Sequence, residues 1–484
     1  MDNFIRGMNE IVWGIPMLVL LLGTGLFLTL GLRFISITKI PDAIRELFSK
    51  PDQKQAGDIT PFGALMTALS STIGTGNIAG VAAAIAIGGP GAVFWMWVTA
   101  IVGTATKYSE GVLALKYREK DAEGRSVGGP MYYIKNGLGK KWLWLGFLFA
   151  IFGMIAGWGT GASIQSNSIA DALKSTYNIP PLVSAIVLAG GAGAVILGGI
   201  KRISTVASRL VPAMAVSYIG AGLLVIIINI EAVPAAFGAI FNGAFGFDSA
   251  GTGISIGLLM LAMQKGVARG IFSNEAGQGS APIAHAAAKN DDPVDQGTVA
   301  MLGTFIDTLI VCTITALVIL TSGVIDPSCI PNSTNLDTFL SLGQPEQCDT
   351  GAPLTVAAFD SVLTGIGQHI VTIGLTVFGF TTILGWSYYG ERCCEFLFGI
   401  KSITPYRISW VLVTFGGAAS LMLEGEISNI VNLFWLVADT LTGMMAAPNL
   451  VALVLLSPVV FKLTRDHFSK VPTDVTSGSE SAAD

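Results

Sequence analysis

Charge is what the sequence has least of. Asp, Glu, Lys and Arg together make up 12% of 484 residues, while apolar types (Ala, Val, Ile, Leu, Met, Phe, Trp, Tyr, Cys) make up 52%. Soluble domains carry roughly 25% charge, so this composition excludes an ordinary water-soluble globule and predicts a chain mostly dissolved in lipid. Histidine is scarce as well. His285, His369 and His467 are scattered and there is no His-Glu-x-x-His, so no metal or nucleophile site of an intramembrane enzyme is evident. Cysteines are few: Cys312 lies in an apolar run, Cys393 and Cys394 stand beside charges at a helix end, and Cys329 and Cys348 share one polar loop. A cleavable secretory signal is also missing. The first apolar run, Ile11 to Leu32, is uncharged throughout. It is too long for a signal core of about 7–15 residues and lacks a clean cleavage site, so it reads as a retained helix. The net charge of −5 gives no sign of a nucleic-acid partner.

What the sequence does have is apolar length and glycine. A helix needs about 20 apolar residues to cross a bilayer, so the length allows on the order of ten to twelve crossings. The 59 glycines suit helices that approach closely or unwind inside a bundle. Charge-free apolar runs predict about eleven spans, at 11–32, 60–88, 91–117, 142–170, 181–200, 204–230, 251–288, 297–321, 366–390, 406–423 and 427–463. Basic residues follow the first span (Arg33, Lys39, Arg45, Lys50, Lys54) and the third (Lys116, Arg118, Lys120, Arg125, Lys135, Lys140, Lys141). Others follow the fifth (Lys201, Arg202) and the seventh (Lys289). The positive-inside rule makes these loops cytoplasmic and puts the N-terminus outside. Loop 322–352 is then outside, where Cys329 and Cys348 are either a disulfide or two free thiols. As one helix, 427–463 would be about 55 Å long. Two crossings would leave Lys462, Arg465 and Lys470 outside, so one net crossing is expected, with an irregular element around Ala447-Pro448-Asn449. The polar tail 471–484 is expected to be disordered.

Two spans are not ordinary lipid helices. One reads Ser70-Ser71-Thr72-Ile73-Gly74-Thr75-Gly76-Asn77-Ile78-Ala79-Gly80; the other carries Arg269-Gly270-Ile271-Phe272-Ser273-Asn274-Glu275-Ala276-Gly277-Gln278-Gly279-Ser280-Ala281-Pro282. Irregular backbone survives at membrane depth only where it lines a polar cavity. At such a break one half-helix begins with unpaired N–H groups, which suit a carboxylate. The other half ends in unpaired carbonyls, which suit a cation or an ammonium group. A zwitterion with a small cation satisfies both ends. The second break follows the first by five spans, a spacing that predicts inverted repeats with the binding site between them. Close packing of glycine is the plainer alternative, and it accounts poorly for Asn and Ser at both breaks.

With these stretches, and with Pro90-Gly91-Ala92-Val93-Phe94-Trp95-Met96-Trp97, Thr106-Lys107-Tyr108-Ser109-Glu110 and Gly128-Gly129-Pro130-Met131-Tyr132-Tyr133, the sequence resembles the alanine/glycine:cation symporter family. That resemblance implies an all-α polytopic membrane protein of the leucine-transporter-like fold. It comprises five helices and five inverted ones, the first of each five unwound, plus an extra N-terminal helix. The expected organisation is 1–58 for that helix and a cytoplasmic loop, 59–230 and 251–463 for the two halves, 231–250 for a connector and 464–484 for a cytoplasmic tail. The implied activity is sodium-coupled import of alanine or glycine across a bacterial or archaeal cytoplasmic membrane. Proton coupling, or another small solute on the same fold, stays open.

Carried over by position, the resemblance places Thr75 and Gly76 N–H groups on the substrate carboxylate. Asn77 is then either an oxygen near substrate or cation or a helix cap. Gln165 bonds the substrate or glues helices together. Phe272 and Trp386 wall the side chain or only pack. Ser273 and Asn274 take the ammonium group or a cation. For sodium, the co-transported ion, the Thr381 and Thr382 hydroxyls would face the Ser70 and Ile73 carbonyls, hard oxygens of the right kind. Such threonines otherwise bond back to their own helix. Lys265, Arg269 and Glu275 are expected as gate or support pairs, and Asp307 either neutralises a basic neighbour or binds a proton or cation. A channel would need a continuous polar lining or charge rings, which the sequence does not offer.

Overall fold

The computed structural model describes residues 2–48, 55–247, 255–332, 335, 336, 339, 348–424 and 426–469. The expected tail 471–484, residues 248–254 of the connector and seventh span, and Lys50, Lys54 and Lys470 lie outside the described residues. Each predicted apolar run is helical. Six helices are individually long and apolar enough to cross a membrane: Phe4–Gly31, Lys140–Tyr177, Gly199–Ile228, Pro293–Thr321, Gly367–Phe398 and Ile427–Ser469. A seventh span is the pair Pro61–Thr72 and Gly76–Gly88, bent by 54°. Gly91–Lys116, Pro181–Ile196, Ile256–Asn274 with Ala281–His285, and Ile403–Ala419 complete the set. Among the described residues the only sheet is a two-stranded hairpin, Glu119–Lys120 against Ser126–Val127.

Large apolar side chains cover the outside of the bundle. On Gly199–Ile228 alone, Val216, Leu223, Leu224 and Ile227 are exposed. Water would make such a surface unstable, and lipid is its natural solvent. With lipid outside, helices gain little from burying apolar area and associate through close packing instead. Glycine does that work along Gly91–Lys116. A Cβ on Gly266 would fall 2.2 Å from the Ala92 carbonyl oxygen, and one on Gly270 would fall 2.3 Å from Thr99 Oγ1. On the other side, Gly111 and Gly297 bring the same helix against Pro293–Thr304. Two helices are thus locked against one.

Two details differ from or complete the sequence reading. The long last span is interrupted at Met445, between helices Glu426–Met444 and Ala446–Ser469, two residues before the expected Ala447-Pro448-Asn449. Pro448 falls in the first turn of the second helix, where its missing N–H has no intrahelical partner to lose. The break therefore precedes the proline. Cys329 and Cys348 are bonded as a disulfide; Cys312, Cys393 and Cys394 are free and buried.

Replacing Gly270 by Val should lower stability by about 1–3 kcal/mol through overpacking, seen as a lower melting temperature of the detergent-purified protein. Unchanged melting would mean that the Thr99 contact yields freely.

Candidate substrate and cation site

The first break begins where Ile73 turns extended (φ −75°, ψ 95°) after Thr72. Asn77 then reaches back, its side-chain oxygen accepting the Gly74 N–H at 2.9 Å. The second break begins at Glu275, a non-glycine residue at φ 55°, and runs through Gly277 and Gly279, both at positive φ. Side chains replace the lost helical bonds here too. Asn274 accepts the Ala276 N–H at 2.9 Å, and Gln278 donates to the Ile271 carbonyl at 3.1 Å. Asn449, from the last span, donates to the Gly277 carbonyl at 2.9 Å.

A buried polar knot ties the two breaks together. Asn77 donates to Asp307 Oδ1 at 2.7 Å and to Ser273 Oγ at 3.0 Å; Ser273 and Thr308 each donate to Asp307 Oδ2 at 2.8 Å. Asn274 donates to Thr308 Oγ1 at 3.1 Å. Asp307 sits in a wide-turn segment, Phe305–Cys312, and makes no ion pair among the described residues. The basic neighbour whose charge reaches it is Lys107, which also acts on Glu110 and Glu275.

Beside the knot lies a narrow cavity of about 20 Å³. Gly76, Gln165, Phe272, Trp386 and Thr382 line it, together with Ser71, Thr72, Gly74, Thr160, Glu275, Gln278 and Thr442. Gln165 Oε1 and Gln278 Oε1 are buried there without a hydrogen-bond donor. The Glu275 carboxylate accepts Trp386 Nε1–H at 2.8 Å and the Ser280 hydroxyl. Thr382 Oγ1 lies 3.5 Å from the Ile73 carbonyl while donating to its own helix at Phe378.

The structure therefore divides the sequence-derived residues. Gly76, Gln165, Phe272, Trp386 and Thr382 face the cavity, with Thr75 and the Ile73 carbonyl at its broken edge. Asn77, Ser273 and Asn274 stand behind the wall in the Asp307 knot. Ser70 Oγ bonds back to the Thr67 carbonyl at 2.7 Å. Thr381 donates to the same Phe378 carbonyl at 2.9 Å, with Met214 Sδ on its other side, so both hydroxyls of the pair bond back to one carbonyl of their own helix and only Thr382 approaches Ile73. Glu275, expected to pair with Lys265 or Arg269, is instead held by Trp386 and Ser280. Gln278, Thr160 and Thr442 were not singled out from sequence. Gln278 lies inside the quoted second motif, whereas nothing local marks Thr160 or Thr442 as facing a cavity.

Two wider cavities flank this one. On the side of the N-terminal helix Asp2–Val12, a cavity of about 230 Å³ shares Phe272 with the small one. On the side of the basic loops, another of about 440 Å³ is lined by Arg125, Tyr388, Glu391, Arg392 and Arg407. There Arg392, buried, pairs with Glu391 at 2.5 Å and Glu395 at 2.6 Å, and Arg407 pairs with Glu391 at 2.5 Å.

The pattern of the "Sodium:alanine symporter family" matches residues 1–480. The chain belongs to the sodium:alanine symporter family. It is 51% identical to the sodium/alanine symporter AgcS of Methanococcus maripaludis, over 96% of each chain. It is 36% identical to the probable sodium/glutamine symporter GlnT of Bacillus subtilis, over 96% of this chain and 91% of that one. Among solved structures it resembles MhsT in complex with L-phenylalanine (TM-score 0.53, 12% identity, 85% of this chain and 99% of that one). It also resembles the manganese transporter of Eremococcus coleocola (TM-score 0.53, 11% identity, 88% and 94%). The fold is thus leucine-transporter-like. The chain is a multi-pass membrane symporter that couples a small amino acid to sodium, and it is not an enzyme.

One sequence match runs against the expectation of no nucleophile motif: Gly253-Ile254-Ser255-Ile256-Gly257 fits Gly-x-Ser-x-Gly. Ser255 caps the helix Ile256–Asn274, its hydroxyl accepting the Leu258 N–H at 3.3 Å. That role is structural.

Asp307→Ala strands the donors of Asn77, Ser273 and Thr308, and each buried orphan costs about 1–3 kcal/mol. The expected outcome is a marked fall in melting temperature for Asp307→Ala and a smaller one for Asp307→Asn, which keeps an acceptor in place. Equal melting of both variants would show that the knot does not hold the breaks together.

Proposed function

We propose that this symporter imports alanine and glycine with sodium, and that both bind in the cavity between the two breaks. The observation that carries the reading is the pairing of opposite polar ends across it. On one side the second half of the first broken helix starts at Thr75 and Gly76, where N–H groups are unpaired by construction and favour a carboxylate. On the other side the unpartnered oxygens of Gln165 and Gln278 and the Glu275 carboxylate offer acceptors to an ammonium group. Phe272 and Trp386 take up most of the remaining wall, which favours a hydrogen or a methyl over a larger side chain.

For sodium, the Thr382 hydroxyl and the Ile73 carbonyl already lie 3.5 Å apart, and the Ser70 carbonyl is the further hard oxygen expected there. The membrane orientation that fits the basic loops has the N-terminus outside and the C-terminus cytoplasmic. The Phe272 cavity is then the outer vestibule and the Arg392 cavity the inner one. Alternating access would open one while the other stays closed.

Proteoliposomes test this directly. An inward sodium gradient should drive uptake of radiolabelled alanine, with glycine competing and leucine not. Full uptake on a pH gradient without sodium would overturn the coupling, and leucine competing as well as alanine would overturn the small pocket. Thr382→Ala should raise the sodium needed for half-maximal uptake, whereas Thr381→Ala, whose hydroxyl is turned to Met214, should shift it little. The reverse ranking would move the cation elsewhere.

A further inference from the structure

Far from the substrate cavity, on the side of the basic loops, one imidazole stands between two carboxylates. His467, near the end of Ala446–Ser469, places Nδ1 3.0 Å from Asp292 Oδ2 and Nε2 3.5 Å from Asp295 Oδ1. Both aspartates belong to the start of Pro293–Thr304, which runs on into the segment that carries Asp307. Asp292 is fixed there, because its Oδ1 caps the helix by accepting the Val294 N–H at 2.7 Å. The ring is held as well, with Phe468 meeting it edge-on at 4.9 Å. Among the described residues His467 is the one ion-pairing partner of either aspartate. Other charges surround the cluster. Glu46, on Ile40–Leu47, is close enough for its charge to reach Asp295. Lys39 lies over the Phe468 ring at 5.2 Å and pairs with Asp42, and Asp291 pairs with Arg118 at 3.4 Å. Arg465 and Asp466, on the helix of His467, are 3.9 Å apart. From the central helix Gly91–Lys116, the Tyr108 hydroxyl is 2.7 Å from Thr464 Oγ1.

A carboxylate only accepts hydrogen bonds, and a neutral imidazole has one N–H and one bare lone pair. With a carboxylate at each nitrogen, the neutral ring satisfies one and sets its lone pair against the other. The imidazolium donates to both. Imidazole is also the ordinary side chain that changes charge between about pH 5 and 8. We propose that His467, Asp292 and Asp295 form a proton site that latches the last span to the Asp307 helix when the ring is charged and slackens when it is neutral. The latch acts through one rigid element. Toward the other end of Ala446–Ser469, Asn449 donates to the Gly277 carbonyl at 2.9 Å, inside the second break. A proton on His467 therefore holds the helix whose far end props that break. The direction follows from the donors. The ring has two at low pH and one at high pH, so acid favours the arrangement in this structure and slows a cycle that must leave it. No proton needs to cross the membrane, so the site adds control to sodium coupling without replacing it.

Two readouts test it between about pH 6 and pH 8, the range in which the ring changes charge. The first is melting of the purified full-length protein. Wild type should lose a few degrees as the pH rises, while His467→Gln, which cannot charge, should change far less. Asp295→Asn keeps the ring and removes one carboxylate, so it should fall between the two, and it serves if His467→Gln does not fold. The second is sodium-driven alanine uptake with the same pH on both sides of the membrane. Its initial rate should rise several-fold with pH in wild type and stay nearly flat in His467→Gln. The uptake arm rests on the proposed substrate and coupling, and the melting arm does not. Wild type that carries no alanine would sink that reading and leave the latch to the melting curves. Identical melting profiles in wild type and both variants would overturn the latch. A pH dependence that EDTA abolishes would also overturn it, by giving the three side chains to a divalent metal. Uptake profiles that coincide in wild type and His467→Gln would overturn its control of the cycle.

Discussion

Backbone polarity at membrane depth is the constraint on which the rest of this structure depends. Two stretches of helix are unwound where no water can reach them from lipid, and each freed N–H or carbonyl must find a partner in protein or face a cavity. Asn77, Asn274, Gln278 and Asn449 supply those partners from side chains. The knot around Asp307 then fastens the first break to the second. Between the two breaks the Gln165 and Gln278 side-chain oxygens are left without donors, and both line the cavity. A binding site arises here because the fold cannot satisfy itself completely.

The same economy explains the helix packing. A break can be held in register only if its flanking halves cannot slide, and lipid gives no hydrophobic force to prevent sliding. Glycines 266 and 270 let the helix before the second break sit directly on Gly91–Lys116, and Gly111 and Gly297 set the Asp307 helix against its other side. Position along one central helix therefore fixes both the second break and the aspartate that ties it to the first.

Much of this was legible in the sequence, and the reasons are specific. Spans were readable because lipid demands long apolar runs: among the described residues six helices, or seven with the bent pair, are long and apolar enough to cross a membrane, and each falls on a predicted run. The breaks were readable because Gly, Ser and Asn interrupt apolar runs only under compulsion. Gly76, Gln165, Phe272, Trp386 and Thr382 were readable because they lie within or beside recognisable motifs. Side-chain direction was not. Ser273 and Asn77 look like cavity residues from their positions, yet the buried Asp307 carboxylate claims both, since an ionisable group in lipid must collect donors. Thr381 and Thr382 both bond back to the Phe378 carbonyl, and because adjacent residues are turned about 100° apart around a helix only Thr382 also reaches Ile73. Thr160 and Thr442 reach the cavity across more than one helix, a relation no local pattern encodes.

Charge follows the same logic from the centre outward. Where the structure needs rigidity, carboxylates and arginines are paired: Glu275 between Trp386 and Ser280, Arg392 among Glu391, Glu395 and Asp121. Such pairs are costly to desolvate and are strongly destabilising when one partner is removed, so they act as fixed points on the side of the basic loops. Arg269 is the exception, with its donors unspent on the opposite side. Phe272 lines both the cavity that Arg269 faces and the central one, where the Gln165 and Gln278 oxygens have no donor.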